Sequence, residues 1–254
     1  MVIHLSKTEG RVMGADLYNQ GTYLANNPQW HQGDSTWKAD HIDAILARGG
    51  IEPTSYVEVG CGAGGIIAAM AARHPQASAT GFDISADAAR LWPTQRPPNL
   101  DYRIADFRTT DGRYDVLLLI DVFEHVDDYL GFLRALRPRA KHFVFHVPLD
   151  LSALSVLRGS FMAGRVDVGH LHYFTRASAL ATLELAGYRV EDSFLTSLSI
   201  EASRDKRTWK TNIANLPRRL IRAIDIEAAA TLLGGFSLIV RATAAPQSGD
   251  MNAN

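Results

Sequence analysis

The chain has 254 residues, 46% of them hydrophobic and 21% charged, which fits one large globular domain or a domain with a sizeable lid. Its 26 basic side chains nearly balance 27 acidic ones, for a formal net charge of −1, so a dedicated nucleic-acid binder, which needs a basic excess, is not expected. The single cysteine, Cys61, excludes an intrachain disulfide and leaves no thiolate set for zinc.

Residues 1–33 carry Tyr18, Tyr23, Trp30 and His31 among polar residues without a clear period. They read either as loops and short helices packed on the core or as a flap whose aromatics cover a ligand. A helix follows from Ser35, with Asp34 or Ser35 as cap and Trp37, Ile42, Ile45 and Leu46 at helical spacing; Gly49 and Gly50 end it. Residues 1–50 are thus expected to form an N-terminal helical cap. The start, MVIHLSKTEGR, lacks the apolar core of a signal peptide, and no apolar run reaches the length of a membrane span, so a cytoplasmic location is expected.

From residue 51 the pattern alternates. SYVEVG (55–60) is a short apolar run ending in glycine, GGIIAAMAARHP (64–75) a small-residue helix, and ASATGFDIS (77–85) a second strand. ADAARLW (86–92) predicts a helix, LDYRIADF (100–107) a third strand, and YDVLLLIDV (114–122) a central strand buried on both faces. DYLGFLRALRPR (128–139) is amphipathic, and KHFVFHVPLD (141–150) is a fifth strand. Strands alternating with helices imply a parallel sheet. Beyond it, 151–175 is an irregular stretch, 177–188 a helix, and 188–195 and 236–244 two more strands. The segment between those strands contains the basic amphipathic run LPRRLIRAIDIEAAATLL (216–233). Segments 151–175 and 198–235 are expected as lid or cap insertions, and 246–254 as a disordered tail.

The chemistry begins at the glycine turn. A strand running into glycines and then a helix forms a cradle for a nucleotide-like ligand. Gly60, Gly62 and Gly65 satisfy G-x-G-x-x-G, which also suits a dinucleotide and a nicotinamide oxidoreductase. Glu58 argues against that reading: a carboxylate would repel a pyrophosphate, whereas S-adenosylmethionine (SAM) carries a cationic ammonium and sulfonium. Asp83, at the end of the second strand, can accept hydrogen bonds from ribose hydroxyls. Asp106 suits an adenine amino group, and Phe107 can stack on the ring. Each of Asp83 and Asp106 also reads as a plain strand-end carboxylate, and Cys61 as a small packing residue. No Tyr-x-x-x-Lys pair supports the oxidoreductase.

In order, VEVGCGAGG, GFDIS and the ADF stretch resemble the first three motifs of class I SAM-dependent methyltransferases. IDVFEHVDD resembles the fourth-strand motif of their small-molecule group, which includes ubiquinone-pathway O-methyltransferases, and RALRPRAKHFVFHVP the helix and strand that follow. The resemblance covers roughly residues 55–190. It implies an α/β fold, a doubly wound seven-stranded, mostly parallel sheet whose last strand is antiparallel, with helical cap segments on a methyltransferase domain over 51–245. It implies a cofactor site lined by Glu58, Gly60, Cys61, Gly62, Asp83, Ile84, Asp106, Phe107, Asp121 and Val122. The family's common form has a short hairpin where this chain has residues 198–235.

Methyl transfer is an in-line displacement, so the protein must align the partners and, for a hydroxyl acceptor, remove a proton. If the chain turns helical after the fourth strand, Asp121, Glu124 and His125 share a face. His125, the first choice for a general base, also reads as a structural histidine or a metal ligand. Asp121-x-x-Glu124-His125 resembles the Glu-x-x-Glu-His set of metal-assisted O-methyltransferases, including the small-RNA 3′-terminal ribose methyltransferases, which implies magnesium or manganese. Gly169-His170-Leu171-His172-Tyr173-Phe174-Thr175 resembles a stretch after the fifth strand of related small-molecule enzymes. In an extended chain His170 and His172 point the same way, and His170 is a second catalytic candidate. His146 reads as a satisfied strand-end histidine. Lys206, Arg207, Lys210, Arg218, Arg219 and Arg222 read as a solvated helix face or as a seat for an anionic acceptor. A small molecule or saccharide methylated at oxygen is the expected acceptor, with nitrogen and carbon acceptors, an RNA modifier and a non-catalytic SAM-binding subunit as alternatives; the oligomeric state stays open.

Overall fold

In the computed structural model, residues 30, 32–201 and 215–246 are described. The sequence runs through helix α1 (Ser35–Arg48), β1 (Ser55–Val59), α2 (Gly65–Arg73), β2 (Ser78–Asp83), α3 (Ala86–Ala89), β3 (Leu100–Ile104) and β4 (Tyr114–Ile120). It continues through α4 (Tyr129–Leu136), β5 (Ala140–Pro148), α5 (Ala153–Arg158), α6 (Phe161–Asp167), α7 (Arg176–Leu185) and β6 (Tyr188–Thr196). Helices α8 (Leu198–Glu201), α9 (Leu216–Ile224) and α10 (Ile226–Leu233) precede β7 (Ser237–Ala244).

The strands form one seven-stranded sheet in the order β3-β2-β1-β4-β5-β7-β6. Strands β1 to β5 pair in parallel, while β7 lies antiparallel between β5 and β6. The doubly wound class and the antiparallel last strand are as the sequence implies. Val116 to Leu119 of β4 are fully buried because helices cover both faces. On one face Ile42 and Ile45 of α1 and Ile67 and Met70 of α2 pack on the sheet. On the other lie Leu133 and Leu136 of α4, Leu183 of α7 and Ala229 and Ala230 of α10. Strand order reverses between β1 and β4, and the crevice beyond the carboxyl ends of such neighbours is where open α/β sheets hold ligands.

Several elements differ from expectation. The helix predicted over 86–92 is one turn, α3, capped by the Ser85 hydroxyl accepting from Ala88 N–H; prolines at 93, 97 and 98 leave no room to extend it. The irregular stretch 151–175 contains α5 and α6. The amphipathic run 216–233 breaks at Asp225, whose carboxylate caps α10 by accepting from Glu227 and Ala228 N–H. Among the described residues no helix is long and apolar enough to cross a membrane. The aromatics Tyr18, Tyr23 and His31, the basic Lys206, Arg207 and Lys210, and the tail beyond 246 lie outside the described residues.

Helix α1 is fastened to the rest by charge. Arg73 of α2 donates to Asp40 and Asp43, and Arg48 to Asp192 of β6. This places Lys38, on the buried stripe with Ile42 and Ile45, over the end of β4.

Candidate active site

The glycine turn begins where β1 ends. Gly60 and Cys61 donate their N–H groups to the Phe82 carbonyl at 2.8 and 2.9 Å. Gly60 and Gly62 have φ of +74° and +52°, and neither has space for a side chain. A Cβ on Gly60 would meet Val122 Cγ2 at 2.7 Å, and one on Gly62 would meet the Trp30 ring at 2.7 Å. Glu58 is buried beneath the turn and accepts from Ile67 N–H at 2.9 Å. Burial pushes its carboxyl up to about 8. Asp83 accepts from Gly62 N–H at 2.7 Å and from Ser85 N–H at 2.8 Å, while burial raises its pKa above the ordinary value. Ile84 next to it is half exposed, at 51%. The Cys61 thiol is buried and pushed up, first by burial and then by Glu58 and Asp83, as suits a packing residue rather than a reactive one.

Beyond β4 the chain turns sharply at Asp121, whose φ is +54°. Asp121 then accepts from Lys38 Nζ at 2.8 Å and His146 Nδ1 at 2.6 Å. Burial opposes its charge, but His146 and Lys38 outweigh it and hold the carboxylate ionised. Lys38 also pairs with Asp34 at 3.1 Å; burial opposes its charge too, and the two carboxylates keep it protonated. His146 shares its Nε2 with Thr196 Oγ1 at 3.3 Å. The expected strand-end histidine is therefore a satisfied one, and it ties β5 to β4 and β6.

The helical face expected for Asp121, Glu124 and His125 does not form. The turn is a single 3-10 turn, Phe123–His125, which leaves Asp121 outside it. His170 joins Glu124 and His125 instead. Leu171 and His172 donate their N–H groups to the Glu124 carbonyl at 2.9 and 3.0 Å, laying this segment on the turn and setting the His125 and His170 rings 4.8 Å apart, edge to face. Ligand atoms of Glu124, His125 and His170 lie within 4.8 Å of one another. Both Glu124 carboxylate oxygens are buried without a hydrogen-bond partner. Burial, then Asp121, raises that carboxyl well above its usual range. Burial, then His170, lowers His125 to about 4. His170 donates through Nδ1 to Asp150 at 2.6 Å, leaving Nε2 for other chemistry. His172 diverges from His170: it donates through Nε2 to the Val126 carbonyl and packs tilted against the Tyr129 ring.

Glu58, Gly60, Cys61, Gly62, Asp121, His125 and His170 all line one cleft of about 270 Å³, joined by Asp34, Lys38 and Trp30. Five predicted cofactor residues do not: Asp83, Ile84, Asp106, Phe107 and Val122. Phe107 is 2% exposed and packs edge-on against Phe82 in the core, so its ring has no face for a ligand. Asp106 accepts from Arg108 through both oxygens, and the guanidinium holds its carboxyl below the usual range. Val122 backs the glycine turn from behind. Lys38 and Asp150 were not singled out from the sequence. The signal for Lys38 was its place four and seven residues before Ile42 and Ile45, a charge on an apolar stripe. Asp150, two residues beyond β5, had no local signal at all.

Residues 14–193 match a family model described as a methyltransferase domain. The chain is 28% identical over 191 residues to a ubiquinone biosynthesis O-methyltransferase of Xanthomonas campestris pv. campestris, covering 66% of this chain and 78% of that one. It is 27% identical over 200 residues to the enzyme of the same name from Aeromonas salmonicida, at 70% and 83%. Among solved structures, magnesium protoporphyrin IX methyltransferase from Synechocystis PCC 6803 with bound S-adenosylhomocysteine (SAH) superposes with a TM-score of 0.52 at 17% identity, over 94% of this chain and 90% of that one. A putative methyltransferase from Haloferax volcanii, solved with the Trm112 activator, gives 0.56 at 15% identity, over 90% and 96%. With a doubly wound sheet, a glycine cradle at its switch point and a family match over most of its length, the chain belongs to the methyltransferase-domain family and is a SAM-dependent enzyme.

Proposed function

We propose that this enzyme methylates a hydroxyl of a small organic molecule, with His170 as the general base. The observation that carries the proposal is the Asp150–His170 pair opening on the same cleft as the glycine turn. Asp150 fixes the ring tautomer with Nδ1–H and stabilises the imidazolium formed when Nε2 takes the acceptor proton. His125, lowered to about 4, has little drive for proton capture at neutral pH. The O-methyltransferase relatives support oxygen as the acceptor atom.

The cradle residues fit SAM. Gly60 and Gly62 bring backbone close to the ligand, and Asp83 stands where ribose hydroxyls would sit. Exposed Ile84 offers apolar surface to adenine. Glu58 is neutral in the free cleft at neutral pH, and a cationic ammonium beside it would draw it into the charged form. Asp121 acts as a positioning residue, since Lys38 and His146 already occupy it. Trp30 over Gly62 helps to exclude water.

The Glu124 carboxylate, buried without a hydrogen-bond partner, favours a second reading, in which Glu124, His125 and His170 hold a divalent cation. Two imidazoles and one carboxylate suit manganese or zinc better than magnesium. Such a cation would acidify a hydroxyl beside it.

SAH release from SAM with catechols, phenols and amines as acceptors tests the assignment. His170→Ala should lower turnover by about 10²–10⁴ while SAM affinity stays within about threefold. Activity that survives EDTA supports His170 as base; activity lost to EDTA and restored by Mn²⁺ supports the cation. Methylation of amines alone would overturn the hydroxyl assignment.

A further inference from the structure

A second cavity, of about 350 Å³, is also lined by His170. It shares Val168 and His170 with the cofactor cleft, so a molecule seated there meets the proposed base. Helices α5, α6 and α10 and the Gly234–Gly235 turn enclose it, and these are cap elements rather than parts of the cofactor cradle.

Two guanidiniums line this cavity, those of Arg158 and Arg218. Arg218 is anchored by neutral acceptors: Nε donates to the Gly234 carbonyl at 2.8 Å, Nη2 to the Leu233 carbonyl at 3.2 Å and Nη1 to Asn215 Oδ1 at 2.8 Å. These three bonds fix the fork and leave two of its five N–H donors. Burial, followed by repulsion from Arg158, lowers the Arg218 pKa, and no carboxylate offsets them. Among the described residues neither arginine forms an ion pair. Asp150, the acid on the cavity wall, is engaged by His170. Two cations that repel each other at the wall of a cavity, one rigidly held, form a preorganised seat for an oxyanion with two or more oxygens. The glycines fit this role. A Cβ on Gly235 would crowd Arg218 Nε at 3.2 Å, and one on Gly234 would strike Ser152 Oγ at 2.7 Å, so backbone approaches the fork without side chains in the way.

Resting on the acceptor reading above, we propose that this cavity is the acceptor site and that the acceptor carries a carboxylate or phosphate group gripped by Arg158 and Arg218, with its hydroxyl turned toward His170. The charge pair then selects the acceptor, and the His170 cluster performs the chemistry.

Calorimetric titration of the SAH-loaded enzyme with benzoate, phenyl phosphate and benzyl alcohol tests this without requiring turnover. The anions should bind at least tenfold more tightly than the alcohol, and the tighter of the two identifies the group. Arg158 is exposed, and Arg158→Gln should keep the fold and SAH affinity while weakening the anion at least tenfold. Arg158→Lys should recover part of the loss. Equal binding of anion and alcohol, or anion affinity unchanged within twofold in Arg158→Gln, would overturn the proposal. Hydroxyl methylation and its dependence on His170 are read separately, so the anion site can fail while that assignment stands.

Discussion

The two sides of the site are made differently. On the cofactor side, β1 and β2 deliver backbone: glycines with positive φ, N–H groups turned onto Phe82 O and Asp83, and a carboxylate under the turn. On the side proposed for the acceptor the groups are side chains, and they come from Glu124, Asp150, Arg158, His170 and Arg218, spread over almost a hundred residues. A backbone cradle needs a fixed short spacing, whereas a side-chain constellation needs only that the fold bring its members together. The first therefore leaves a readable string in the sequence and the second does not.

Substitutions on the cofactor side put that contrast to the test, and the largest effect is expected at Asp83. Asp83→Ala removes a carboxylate that accepts from Gly62 and Ser85 N–H, and hydrogen bonds to charged groups contribute about 1.5–3 kcal/mol each. One such bond lost to the ribose should lower SAM affinity by calorimetry about 10- to 150-fold, and unchanged affinity would remove Asp83 from the cradle. Gly60→Ala comes next. Its methyl collides with Val122 in a left-handed conformation, and a loss of about 1–3 kcal/mol in urea unfolding is expected; a neutral result would mean that the turn relaxes freely. Glu58→Gln should give the smallest effect, seen as a change in pH dependence. With a folded pKa of about 8 against about 4.5 for an ordinary exposed glutamate, the folded state holds a proton that the unfolded chain has lost, so wild-type stability falls as pH rises from about 4.5 to 8. Glu58→Gln should flatten the stability profile in that window, and an identical slope would show that Glu58 is not the group responsible.

Particular residues show where the sequence was legible. The seven strands and their alternation followed from apolar runs such as YDVLLLI, because a doubly covered parallel strand has no polar face to confuse the pattern. The glycine turn and Asp83 followed from spacing. Phe107 misled, since an aromatic at a strand end can turn inward to the core as readily as outward to a ligand. Asp121 was assigned to a helical face that a 3-10 turn and a positive φ do not provide. Glu124 and His125 were in view from the start, but their partner proved to be His170, brought in by backbone bonds from a segment more than forty residues away. Asp150 and Arg158 depend on tertiary packing alone.

The placement of β7 has a consequence for how the chain is born. Strand β7, which follows β6 in the chain, is an interior strand of the sheet, hydrogen-bonded to β5 on one edge and β6 on the other. A ribosome adding roughly 5–20 residues per second exposes β5 and β6 with open edges until residues 237–244 emerge, and open edges invite pairing with other chains. Sheet completion therefore waits for residues 237–244. Stalling or premature termination before Ser237 should leave an aggregation-prone nascent chain whose cofactor cradle is already made.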